Sequence, residues 1–127
     1  MSTPVDPRVL DFRCLVTQPD LNSHGTLHGG ILMKWADESA GMHARKITKF
    51  LCVTRYIDRI NFVSTARIGT ILRIRSHVDA VGNSSITFRI TIRNDISNEM
   101  IATIDRLVFV CVDGNHKPQK HGLVMDE

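Results

Sequence analysis

Two hydrophobic periods divide the chain. From Ile31 the apolar residues recur as Ile31, Leu32, Trp35, Ala36 and Ala40, the stripe of an amphipathic helix, and this predicts a helix over Gly30–Ile47. After it the period drops to two. In Ser85–Asn94 the residues Ile86, Phe88, Ile90 and Ile92 alternate with Thr87, Arg89, Thr91 and Arg93, which predicts a strand with one apolar face and one solvated or interfacial face. Leu51–Val63 and Thr70–Val81 read as strands joined by a turn at Ser64–Gly69, and Gly82-Asn83 is a hairpin signal. A turn at Asp95–Glu99 leads to Met100–Val112, whose unbroken run Leu107–Val112 predicts burial on both faces. One strand precedes the helix: Val9–Thr17 puts Leu10, Phe12, Cys14 and Val16 on one face. Met1–Pro7 is expected to be a loose lead-in, Gln18–His28 a polar loop, and Asp113–Glu127 an irregular polar tail.

The predicted order is strand, helix, then four strands, an α+β class. One helix cannot cover both faces of a five-stranded sheet. It is expected to pack into a curved antiparallel sheet whose exposed edge pairs with another copy of the chain. With 127 residues and no repeat, linker or low-complexity tract, a single domain over 1–127 is expected.

Composition narrows the function classes. The chain is 43% hydrophobic and 23% charged, as a folded soluble domain is. A net charge of +3 suits an anionic ligand, but the Lys and Arg residues never form a run, and one Trp and one Tyr offer little for stacking on bases. A nucleic-acid partner is therefore not expected. The three cysteines, Cys14, Cys52 and Cys111, are odd in number and far apart in sequence, which argues against a disulfide framework or a zinc ribbon; each sits in an apolar run and reads as a buried, reduced thiol. The amino-terminal residues have no hydrophobic signal core and no run is long enough to cross a bilayer, so no membrane partner and a cytoplasmic location are expected.

Candidate chemistry gathers in Asn22–Gly41, where glycine, histidine, asparagine and carboxylate crowd beside the helix start. Asp37 lies off the main apolar stripe, on a face shared with Gly30, Met33, Gly41 and Ala44. A carboxylate in such surroundings suits a general base or a nucleophile, or else a buried group held by hydrogen bonds or by a cation such as Arg45. Glu38 points about 100° away and reads as solvated. Gly29 and Gly30 let a ligand approach the positive end of the helix, where unpaired N–H groups suit an oxyanion, a thioester carbonyl or a phosphate. Asn22 can hold a water or a carbonyl, or simply shape a turn. His24 and His28 are four apart but lie in a Gly-rich loop with no cysteine near, so no metal site is expected, and His28 is expected to pack beside the helix start. His43, His77, His116 and His121 read as structural or exposed. Ser39 lacks a glycine elbow, and no GxSxG, P-loop or dinucleotide fingerprint occurs. Gly30 and Asp37 stand about 10 Å apart along a helix, too far to serve one carbonyl together. Two helices laid antiparallel in a dimer would bring them together.

The spacing N-x-x-G-x-x-x-G-G-x-x-[LM]-x-x-x-D, here Asn22, Gly25, Gly29, Gly30, Met33 and Asp37, resembles the signature of hotdog-fold acyl-coenzyme A thioesterases, the YciA-like and brain acyl-CoA hydrolase group. The resemblance continues through Val53-Thr54, Asp58, Phe62, Gly69, the Gly82–Ser85 segment, Val112-Asp113 and Lys117-Pro118. It implies a long central helix wrapped by a curved sheet, and hydrolysis of fatty acyl-CoA without a cofactor. It implies Asp37 as general base or nucleophile, Asn22 positioning water or thioester, and the Gly30 N–H polarising the carbonyl beside Gly29 and His28. It also implies homodimers built further into tetramers or trimers of dimers. Arg59, where relatives usually carry a small residue, and Lys117 are candidates for the CoA phosphates, and Ser84 and Ser85 are further candidates for binding CoA. Thr65 and Thr70 stand where the family usually has Pro and Asp, which touches the loop and not the chemistry. Two alternatives stay open: a hotdog hydratase or dehydratase using His28 with Asp37 or Glu38, and a non-catalytic acyl-CoA binding module.

Overall fold

The computed structural model describes residues 2–125; residues 1, 126 and 127, the outer ends of the lead-in and the tail, lie outside the described residues. The chain runs β1 (Thr3–Pro4), β2 (Val9–Leu15), α1 (Gly29–Thr48), β3 (Leu51–Phe62), β4 (Ile71–Val81), β5 (Ser85–Asn94), β6 (Met100–Val112) and β7 (Leu123–Val124). The strands β2-β4-β5-β6-β3 form one antiparallel sheet in that order, with α1 packed on one face. The expected hotdog arrangement of one helix and five long strands is therefore present.

Alternation explains the packing. Ile86, Phe88, Ile90 and Ile92 of β5 are fully buried under the helix, as are Leu72 and Ile74 of β4. On the opposite face Arg75 of β4 pairs with Asp11 of the neighbouring β2, and Arg73 with Asp95 in the turn after β5. The run Leu107–Val112 is buried throughout, as its continuous apolar sequence predicts. The helix buries Leu32, Ala36, Ser39, Ala40, His43, Ala44 and Ile47. Ala44, expected beside Asp37, belongs to the core, because small side chains on this face let the helix lie close to the sheet. Gly41 marks a close approach of helix to sheet: a Cβ there would stand 3.3 Å from the Phe109 ring. The helix ends at Lys49, which takes a left-handed conformation and donates its N–H to the Arg45 carbonyl at 2.8 Å.

Two expectations are corrected. The lead-in is not loose, and the tail, irregular over residues 113–122, regains order at β7: β1 and β7 pair in parallel. Thr3 donates to the Gly122 carbonyl at 2.8 Å, and Val5 and Leu123 are buried. His121 holds the tail down, its Nε2 donating to the Ser85 carbonyl at 3.0 Å while Nδ1 accepts from the Leu123 N–H at 2.9 Å. Single apolar anchors among polar residues leave no periodicity to read. Among the described residues no helix is long and apolar enough to cross a membrane.

Candidate active site

The loop between β2 and α1 is built around Asn22. Its Oδ1 accepts from the N–H groups of His24 at 2.9 Å and Thr26 at 3.2 Å, and its Nδ2 donates to Thr26 Oγ1 at 3.0 Å. These are the bonds of an Asx turn, which close the loop on itself. Leu27 then donates to the Ala66 carbonyl at 2.8 Å and moors the loop to the β3–β4 connection. Asn22 thus shapes the turn, and it also lines a cavity of about 250 Å³ with Thr26, Gly29, Leu32, Phe62 and Ser64.

His28 is the helix N-cap. Its Nδ1 accepts the Gly30 N–H at 2.9 Å. The N–H expected to face a ligand is thus held by an imidazole in this structure, and a carbonyl oxygen reaching it must displace that exposed ring. A Cβ at Gly30 would stand 3.0 Å from the ring, so a larger residue there would press the imidazole aside.

Asp37 is half-buried two turns further along α1, and Thr54 Oγ1 of β3 donates to its Oδ1 at 2.6 Å. The short distance is that of a hydroxyl on a carboxylate. The partner is a hydroxyl, not the guanidinium of Arg45. Glu38 is exposed, as expected, and with Gly41, Met42, Arg45, Lys46, Leu51 and Cys52 it walls a second cavity of about 570 Å³ between the helix and the start of β3. Asp37 lines neither of these two cavities. From Gly29 to Asp37 the helix rises about 12 Å.

Thr54 is the site residue that the sequence reading missed. The signal was its place in Val53-Thr54, within the family resemblance. Which helical residue it faces depends on how β3 folds back.

The remaining candidates are scattered. Ser84 and Ser85 are half-buried at the start of β5, and the turn carrying exposed Lys117 bridges back to the end of β6. Arg59 is exposed, has a left-handed backbone (φ 56°) and pairs with Asp105 at 3.6 Å. Asp105 and Val112 are separated by about 24 Å of strand at roughly 3.4 Å per residue. Arg59 and Lys117 therefore do not converge within one protomer. Among the described residues no cluster of three or more His, Cys, Asp or Glu is placed to hold a metal ion.

The model of the thioesterase superfamily matches residues 24–101, which holds the Asn22 loop from His24 onward, the whole helix and most of the sheet. The chain belongs to the thioesterase superfamily. It is similar to the acetyl-coenzyme A thioesterase of Rattus norvegicus, 40% identical over 93 residues, covering 70% of this chain and 17% of that protein. The chain spans about a fifth of the length of the curated relatives it matches first. Among solved structures it is similar to an apo-hexameric acyl-CoA thioesterase, with 30% identity, 94% of this chain and 78% of that one covered, and a TM-score of 0.83. It is also similar to the acyl-CoA hydrolase of Staphylococcus aureus in complex with butyryl coenzyme A, coenzyme A and coenzyme A disulfide, with 28% identity, 99% and 77% covered, and a TM-score of 0.82. Three further structures of that enzyme carry alanine in place of one threonine, one aspartate or one asparagine.

Proposed function

We propose that this superfamily member hydrolyses the thioester of acyl-CoA to a free acid and CoA, with Asp37 as the residue that activates water. The observation that carries this reading is the Thr54–Asp37 hydrogen bond at 2.6 Å. It occupies Oδ1 and orients the carboxylate so that Oδ2 takes a proton from water attacking the carbonyl. The S. aureus substitutions support the choice of residues. There the asparagine and aspartate are fifteen residues apart and the aspartate and threonine seventeen apart, the intervals that separate Asn22, Asp37 and Thr54 here.

The rest of the site is completed by a second copy. Edge strand β3 exposes Leu51, Val53, Tyr56 and Phe62 and has a free hydrogen-bonding edge in the single chain. Pairing β3 with its copy lays two α1 helices side by side in opposite directions. The Asn22 loop and helix N-terminus of one protomer then face Asp37 of its partner. In that arrangement Asn22 positions water or the thioester, and the Gly30 N–H, once His28 has swung away, polarises the carbonyl. Such dimers would serve as the units of a larger assembly, and one similar acyl-CoA thioesterase is hexameric.

The test is release of free thiol from acyl-CoA of graded chain length, read with a colorimetric thiol reagent. Turnover on at least part of the series is expected, and Asp37→Ala should abolish it while the circular dichroism spectrum is unchanged. A folded Asp37→Ala protein with near-normal rates would overturn the assignment. Water addition to an enoyl-CoA without thiol release would point to the hydratase alternative.

A further inference from the structure

Cys52 and Cys111, remote in sequence, face each other across β3 and β6 with their sulfurs 3.1 Å apart. Cys111 donates its N–H to the Ser84 carbonyl and accepts at its own carbonyl from Gln119 N–H, both at 2.8 Å. Its backbone groups therefore point away from β3. The two cysteines form a non-hydrogen-bonded antiparallel pair, the kind whose Cα atoms stand about 4.5 Å apart with side chains closest. Disulfides span Cα separations of about 4.4–6.8 Å. A bond between these sulfurs needs a closure of roughly 1 Å and no change of strand register.

The two thiols differ in access and in acidity. Cys111 is fully buried, which matches the sequence expectation, whereas Cys52 is only half-buried and opens onto the 570 Å³ cavity. That cavity carries Arg45 and Lys46 against a single carboxylate, Glu38. The hydrogen bond from Cys111, helped by the charge of Arg45 and opposed by burial, holds the Cys52 thiol down to about 7. The same contact and burial push Cys111 up. A nucleophilic sulfur at a basic cavity and a protonated thiol directly behind it are the two parts of an exchange couple. Cys14 lacks both: it is half-buried without a thiol neighbour, and burial pushes it up.

We propose that Cys52 and Cys111 form a thiol–disulfide exchange site that accepts small anionic disulfides, with Cys52 attacking and Cys111 resolving. The Cys52 thiolate attacks one sulfur of the incoming disulfide, whose S–S bond breaks, and the departing thiolate takes a proton from water. Cys111 then attacks Cys52 Sγ, the mixed S–S bond breaks, and the Cys111 proton passes to the departing thiolate, which leaves as the second thiol. Two protein thiols are oxidised by two electrons, and one small disulfide is reduced to two thiols. The product bond pins the start of β3, two residues before Thr54, to β6.

The test uses the full chain, reduced, incubated with glutathione disulfide, alkylated, digested and read by mass spectrometry. The expected result is a Cys52–Cys111 cross-linked peptide that dithiothreitol removes, with Cys14 alkylated. The Cys111→Ser variant should instead retain glutathione on Cys52, and Cys52→Ser should leave Cys111 unreacted. Failure of the cross-link to form, or glutathione on Cys14 rather than Cys52 in Cys111→Ser, would overturn the proposal. The readout is thiol chemistry, so it succeeds or fails apart from acyl-CoA hydrolysis.

Discussion

Thr54 Oγ1 donates to Asp37 Oδ1 across 2.6 Å, joining edge strand to helix at the carboxylate on which the proposed chemistry turns. Thr54→Val keeps the shape and removes the donor, so the carboxylate loses its orientation. A fall in kcat of about tenfold or more is expected, with a stability change of about 1 kcal/mol. Thr54→Ser should keep most of the rate. Equal kcat in the valine and wild-type proteins would show that the bond has no catalytic part.

A shared site predicts complementation. Asp37→Ala and Asn22→Ala homomers should each be inactive, and mixed dimers should recover about half of the sites. Verified heterodimers without activity would place both residues in one protomer's site.

Gly41 stands where a Cβ would lie 3.3 Å from the Phe109 ring, and Phe109 is braced edge-on against fully buried Phe88, ring centroids 5.8 Å apart. The ring cannot yield freely. Overpacking costs about 1–3 kcal/mol, and the better helix propensity of alanine returns about 1. Gly41→Ala should therefore lower stability by roughly 1 kcal/mol in denaturant titration. A rise in stability would mean that the helix shifts outward.

His43 is fully buried, with Nε2 donating to the Pro7 carbonyl at 2.7 Å and Nδ1 accepting from Ser76 at 2.9 Å. Burial lowers its pKa, the Pro7 bond opposing, and the charges facing it are those of His77 and Lys46. The unfolded chain then binds a proton that the folded chain refuses. Stability is complete above the ordinary histidine value of about 6.5 and is lost as pH falls through the lower folded value. His77, also lowered by burial, adds to the same window, whereas Asp11, lowered by Arg75, acts only in the acid range below the usual carboxylate value. Urea midpoints should fall from pH 7 to pH 5, and less steeply in His43→Gln. An unchanged slope in the variant would remove His43 as the cause.

Arg59 carries a left-handed backbone within β3, and its pairing with Asp105 is mostly exposed. Relief of about 1–2 kcal/mol of backbone strain, less the flexibility cost of glycine, gives Arg59→Gly a net gain of about 0.5–1 kcal/mol. If Arg59 also meets the CoA phosphates, the same variant raises KM and leaves kcat alone. An unchanged KM would leave that part to Lys117.

Elements with a sustained period were legible in the residues alone. The helix was read as Gly30–Ile47 and is Gly29–Thr48, and β5, read from its alternation, and β6, read from its apolar run, have the bounds the sequence indicated. Burial along one face of a regular element follows from spacing, so it can be read without knowing what the face packs against. The glycine, asparagine and aspartate spacing around the helix start likewise pointed to the family. The linear order gave the Gly82-Asn83 hairpin and placed His28 beside the helix start, but it withheld the contacts between distant segments: Thr54 on Asp37, Cys52 beside Cys111, and β1 against β7. Each depends on strand register or on a side chain turning back, and register is set only when the whole apolar face is buried at once. Local propensity carries no record of that, so the partners became visible only in the folded chain.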